Sequence, residues 1–146
     1  MVSAEDSTVA LTVNGKWLPL FGALLSKGFC VEAQTGVSLQ AVLCDQLGIA
    51  GDYLKERVKT VFLNSQAVDD LNRSVVADGA VVAISAAMPG LVGAIMRRDG
   101  RYAGFRNGIT YHDAASKPAQ KAGIIMVKLF NLVARELGPH FLARGV

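Results

Sequence analysis

Apolar side chains recur at every second position in the block TVALTV, which places Val9, Leu11 and Val13 on one face of an extended strand. Asn14-Gly15 follows. Both residues tolerate the positive φ that a type I′ turn demands, so a β-hairpin into KWLPLF is predicted. Pro19 has no amide to donate and restricts that second arm to an edge or a short strand. From Phe21 to Gly36 the pattern loses a clear period, and it reads as a loop followed by a strand over Phe29 to Ala33.

The period then changes to that of a helix. Leu39, Val42, Leu43 and Leu47 recur at helical spacing, with Ser38 placed to accept from the exposed amides of the first turn and Gly48 at the end. Asp52 is placed to cap a short helical turn reaching Val58. Thr60 to Leu63 then reads as a strand, Asn64-Ser65 as a turn and Gln66 to Val68 as a brief return strand. Asp78-Gly79 introduces a further strand from Ala80 to Ser85.

In the back third, Asp99-Gly100 sits between two runs and predicts a second hairpin. Asn107 to Lys117 is polar and small, as a linking loop is. Pro118 stands where a first helical turn accepts it, so a last helix is predicted from there to Gly138-Pro139. Its apolar residues, among them Ile125, Leu129, Phe130, Leu132 and Val133, surround most of the helical axis. Such a helix needs cover from its own domain or from a second subunit, which makes these five residues a candidate oligomer surface.

Composition narrows the class. Of the 146 residues, 51% are hydrophobic and 18% charged, enough for a real core and against extensive disorder. No charge falls between Asp78 and Arg97, but Ser85, Pro89, Gly90 and Gly93 interrupt that run. A strand, a turn and another strand therefore fit it better than a membrane-spanning helix. Cys30 and Cys44 are too few for a disulfide framework, and MVSAEDSTVA carries acidic residues where a secretory leader carries basic ones. A reducing, cytoplasmic setting is expected. The net charge of +3 is unevenly spread, since residues 1–96 hold six Lys/Arg against nine Asp/Glu and the remainder nine against three.

Four motifs in order, TVNGKW, VSLQAVLCDQLGI, VFLNSQAV and DGAVVAISAAMPG, resemble the ThiS/MoaD sulfur carriers over Thr8 to about Gly90. The resemblance implies an α+β, ubiquitin-like β-grasp, a mixed sheet wrapped on one helix, over residues 1–90. Residues 91–146 would add the hairpin and the carboxyl-terminal helix, packed on that domain or on a second subunit. In that family the closing strand runs into a mobile tail ending in two glycines. A partner enzyme adenylates the terminal carboxylate, which then becomes a thiocarboxylate. Gly90 and Gly93 stand at the corresponding place, yet the chain continues past them. The expectation is therefore a non-enzymatic protein-interaction module related to sulfur carriers, with itself or another protein as partner. A carrier precursor trimmed at Gly90 or Gly93, met then by an activating enzyme, is the alternative.

Other candidate chemistry is sparse. Arg97, Arg98, Arg101 and Arg106, interleaved with Tyr102 and Phe105, have the residue types that hold single-stranded nucleic acid through phosphate attraction and stacking. An RNA-binding accessory protein is thus a second alternative, set behind a protein partner because the basic excess is modest and arginines beside a hairpin commonly protect its edge. Cys30 and Cys44 read as small buried hydrophobes, and His112 and His140 as surface or hydrogen-bonded histidines. Asp69-Asp70 reads as a solvated loop pair. No metal site, cofactor or membrane contact is expected.

Overall fold

The computed structural model describes residues 9–106, 108–113 and 116–146. Residues 1–8, Asn107, Ala114 and Ala115 lie outside them. The expectations that concern the leader, the first residue of TVALTV and parts of the linking loop fall there. In chain order a 3-10 helix (Gly15–Phe21) runs into α1 (Gly22–Lys27) and β1 (Phe29–Thr35). Next come β2 (Val37–Ser38), α2 (Leu39–Ala41) with a π turn over Val42–Gln46, and α3 (Gly51–Glu56). Then follow β3 (Thr60–Leu63), β4 (Gln66–Ala67), β5 (Val75–Val76), β6 (Val81–Ser85) and α4 (Gly90–Met96). A short 3-10 turn (Ala103–Phe105), β7 (Lys121–Phe130) and α5 (Asn131–Arg144) complete an α+β chain.

Five strands form one mixed sheet in the order β1-β7-β6-β3-β4. β7 is antiparallel to β1 and parallel to β6, and the remaining pairs are antiparallel. Ile125, Val127 and Leu129 of β7 align with Phe29, Val31, Val82 and Ile84 on one face, where they meet Leu39, Val42, Leu43, Leu47, Val133 and Phe141. Each fully buried Leu on the helical side contributes roughly 1.5–3 kcal/mol by its removal from water. The opposite face is partly open, with Cys30, Ile124 and Phe130 exposed.

Local chemistry explains the elements that match expectation. The Ser38 hydroxyl accepts from the Ala41 amide at 3.1 Å, and Leu39, Val42, Leu43 and Leu47 are all completely buried. Asn64 and Ser65 both take positive φ, 49° and 66°, the turn geometry whose twist suits a two-residue hairpin. The Gln46 side chain accepts from the Gln34 amide and donates to the Gln34 carbonyl, so it covers part of the outer edge of β1.

The stretch expected as a loop after Phe21 is α1, and α3 begins at Gly51 behind Ala50 with no side-chain cap, so Asp52 lies inside it rather than capping it. Four further expectations are corrected. Asn14 takes an extended conformation (φ −69°, ψ 143°), and its side chain accepts from the Lys16 amide. It therefore caps the 3-10 helix, no hairpin forms there among the described residues, and Val9, Leu11 and Val13 are exposed. The run after Pro89-Gly90 is α4, not a strand, so Asp99-Gly100 joins no hairpin arms. Most consequentially, residues 121–130 form an interior strand, β7, between β1 and β6, whose edges pair with it on both sides while Ile125, Val127 and Leu129 are buried on one face. Lastly, α5 passes through Gly138-Pro139 without ending. Beyond the proline, Phe141 packs on Phe29 with ring centroids 5.2 Å apart, while Arg144 donates to the Gln46 carbonyl and His140 Nε2 to that of Leu47. Those contacts hold turns that Pro139 alone would loosen.

Candidate functional site

The segment leaving β6 carries most of the residues that the sequence singles out, and it is folded back on the body of the protein. Gly90 has φ 78°, a conformation glycine adopts without strain, and it turns the chain into α4. Gly93 is buried against the Met88 carbonyl, where a Cβ would collide. The two candidate tail glycines therefore serve a tight turn and a close backbone approach.

Arg106 secures this segment. The residue is only 4% exposed, and its guanidinium donates from Nε to the Ile95 carbonyl (2.7 Å) and from Nη2 to the Arg97 carbonyl (3.0 Å). Nη1 and Nη2 also donate to the two oxygens of Asp69, at 3.1 and 2.7 Å. One planar group thus satisfies carbonyls at the end of α4 and ties them to the loop after β4. Asp69 accepts a further bond from the Asp99 amide. Burial alone would raise its carboxyl, but the hydrogen bonds from Arg106 and Asp99 outweigh that effect and hold it below the usual carboxylate range. Asp69 is thus an internal ion-pair partner, not a solvated loop carboxylate, and Arg106 is no part of an accessible surface.

The neighbouring arginines have a different fate. Arg97, Arg98 and Arg101 line a cleft of about 370 Å³ with Lys55, Val58, Lys59, Asp99 and Gly100. The loop docks there because the Arg98 amide donates to the Lys59 carbonyl (2.7 Å) and Arg98 Nη2 to the Leu54 carbonyl (2.9 Å). Lys59 Nζ donates to the Lys55 carbonyl at 3.0 Å. Both side chains thereby meet carbonyls near the carboxyl-terminal end of α3, where the helix dipole favours cations. Burial pushes the Arg98 guanidinium down from its ordinary value, opposed by Asp99 and Asp69. Among the described residues, the side chains of Lys55, Arg97 and Arg101 make no hydrogen bond or ion pair. Tyr102 and Phe105 follow on tight turns, their ring centroids 6.2 Å apart and Phe105 69% exposed.

Lys55 and Lys59 escaped the sequence reading. Their spacing of four is common on any solvated helix, and only the docking of a loop some forty residues further along makes them part of one surface. The candidate oligomer residues are divided between two elements. Ile125 and Leu129 are buried on the core face of β7, and Phe130 ends that strand partly exposed. Leu132 and Val133 open α5 facing outward and inward respectively.

Cys30 is exposed, against the expectation of a buried thiol, because residue 30 falls on the open face of the sheet. Cys44 is partly buried, and that burial, followed by the Asp45 charge, pushes its thiol up, away from the thiolate form a nucleophile requires. Among the described residues no three His, Cys, Asp or Glu side chains gather as a metal ion would need, and no helix is long and apolar enough to cross a membrane. In comparison with known proteins, no family model matches the chain, and neither a curated protein nor a solved structure does.

Proposed function

We propose that the protein is a non-catalytic interaction module on a ubiquitin-like β-grasp frame related to the ThiS/MoaD sulfur carriers, working in the cytoplasm. Support for the frame comes from the order β1, α2, β3, β4, β6, an amphipathic helix followed by strand, return strand and closing strand, all around one mixed sheet. In this reading β7, between β1 and β6, stands in for the opening strand expected at the amino terminus. The frame is then a β-grasp whose first strand is supplied from the carboxyl-terminal end.

One observation carries the choice of a module over a carrier. After β6 the chain does not run free: it forms α4, is fastened by Arg106 and Asp69, and returns as β7 between β1 and β6. Trimming at Gly90 or Gly93 would expose a carboxylate only by removing the strand that joins the two halves of the sheet. The surface from Arg97 to Phe105 is instead held in place, as a contact surface must be. The experiment is intact mass of the protein from its native host, followed by capture of what co-purifies with it. Full-length protein with a recurring non-enzymatic partner is expected; a species ending at Gly90 or Gly93, bound to an activating enzyme, would overturn the reading.

A further inference from the structure

Building on the interaction-module reading, we propose that the cleft between α3 and the 97–101 loop binds the phosphates of a single-stranded nucleic acid, with a base received on Tyr102 and Phe105. Charge is the first argument. Lys55, Lys59, Arg97, Arg98 and Arg101 line the cleft together with one carboxylate, Asp99, while nearby Asp69 is paired to Arg106, so the lining carries a net four positive charges in a chain whose total is +3. The rest of the molecule is therefore slightly acidic, and the field is concentrated in a concavity, where it attracts an anion most effectively.

The structural duties of these cations do not exhaust them. Lys59 and Arg98 satisfy carbonyls near the end of α3, but Lys55, Arg97 and Arg101 have no such partner among the described residues. Nor do the arginines guard a hairpin edge, because the segment is α4, turns and a 3-10 helix. Repulsion among five like charges in one cleft is relieved by phosphate oxygens, which guanidinium groups bind in bidentate fashion.

The aromatic pair selects the class of anion. Phe105 is a large apolar side chain left mostly in water four residues beyond Arg101, and the ring of the partly exposed Tyr102 lies beside it at 6.2 Å between centroids, two aromatic groups next along the chain to the cleft's arginines. Cations along a backbone track with adjacent stacking surfaces are how single strands are held without sequence readout. An acidic peptide would use the cations and leave the rings idle. Reading the base edges of a duplex needs a protruding helix or ribbon, whereas this surface is concave.

The test is fluorescence anisotropy of a labelled single-stranded RNA oligomer with the full chain, titrated across salt concentrations. Binding that weakens steeply with salt is expected. Arg97→Gln with Arg101→Gln should weaken it by about tenfold or more at low salt and flatten the logarithmic salt slope by about 1.4, since each phosphate left without its cation accounts for roughly 0.7. Phe105→Ala should weaken binding by about tenfold with the slope unchanged, since stacking carries no counterion release. All three side chains are exposed, and circular dichroism of each variant serves as the check that it is folded. Absence of binding at low salt, or binding indifferent to both variants, overturns the inference. Displacement of the RNA by polyglutamate at equal charge and constant ionic strength also overturns it. In the polyglutamate case the module reading survives with an acidic protein as partner, because that reading stands or falls on the mass of the native chain.

Discussion

Arg106 can carry its charge into the interior because its guanidinium plane finds acceptors on several sides: Asp69 and the carbonyls of Ile95 and Arg97. Removing one partner from such an arrangement leaves a desolvated charge, which is costlier than the pair was stabilising. Asp69→Asn is expected to lower stability by ~2 kcal/mol in chemical denaturation. This is below the usual cost for a fully buried pair because the Asp69 side chain is 30% exposed and Arg106 keeps its carbonyl partners. The same pair gives a pH dependence. The folded-state value of Asp69 lies below the ordinary value near 3.9, so its contribution is fully present above that value and is lost as pH falls through the depressed one. Acid titration of wild-type stability should therefore show a loss below about pH 4 that Asp69→Asn lacks; parallel curves for the two proteins would refute this assignment.

At the scale of elements, β7 and α5 show how one apolar run supports two local structures. KAGIIMVKLF has β-branched residues suited to a strand, and LFNLVAREL has the residue types of a helix. The boundary lies at Asn131, whose φ of 46° breaks the strand. Its Oδ1 accepts from the Ala86 amide and its Nδ2 donates to Ser85 Oγ, which fixes the corner beside β6. Two variants test the division. Leu129→Ala, on the core face of β7, is expected to cost about 2–5 kcal/mol through the cavity it leaves. Leu132→Ala, on a residue 47% exposed at the start of α5, should stay within about 0.5 kcal/mol. Equal costs in urea unfolding would mean that the two residues share one environment.

For the whole molecule, the decisive feature is that the sheet is assembled from distant parts of the chain. β1 has β7 as its strand neighbour in the five-stranded sheet, so a chain ended after Gly93 would keep β3, β4 and β6 but strand β1 beside them. Such a truncation is expected to lose its cooperative thermal transition and dispersed amide resonances; retention of both would restore the trimmed carrier as a workable species. Where nearest neighbours in the chain settle the conformation, the amino-acid sequence alone was sufficient. The Ser38 cap, the apolar stripe from Leu39 to Leu47 and the Asn64-Ser65 turn depend on interactions within a few residues, and the residue types at Phe29, Thr60 and Val81 mark strands without naming their partners. Tertiary structure decided the rest. Asn14-Gly15 is equally able to turn a hairpin or cap a helix, and among the described residues no strand partner comes to it; residues 121–130 satisfy either periodicity until β1 and β6 offer their edges. The candidate site divides in the same way, since Arg97, Arg101 and Phe105 declare their chemistry by type, whereas only a chain folded back on itself buries Arg106 against Asp69 and brings Lys55 and Lys59 to the cleft. A side chain's chemistry belongs to its own residue, but its exposure and its partners belong to segments that the local pattern does not contain.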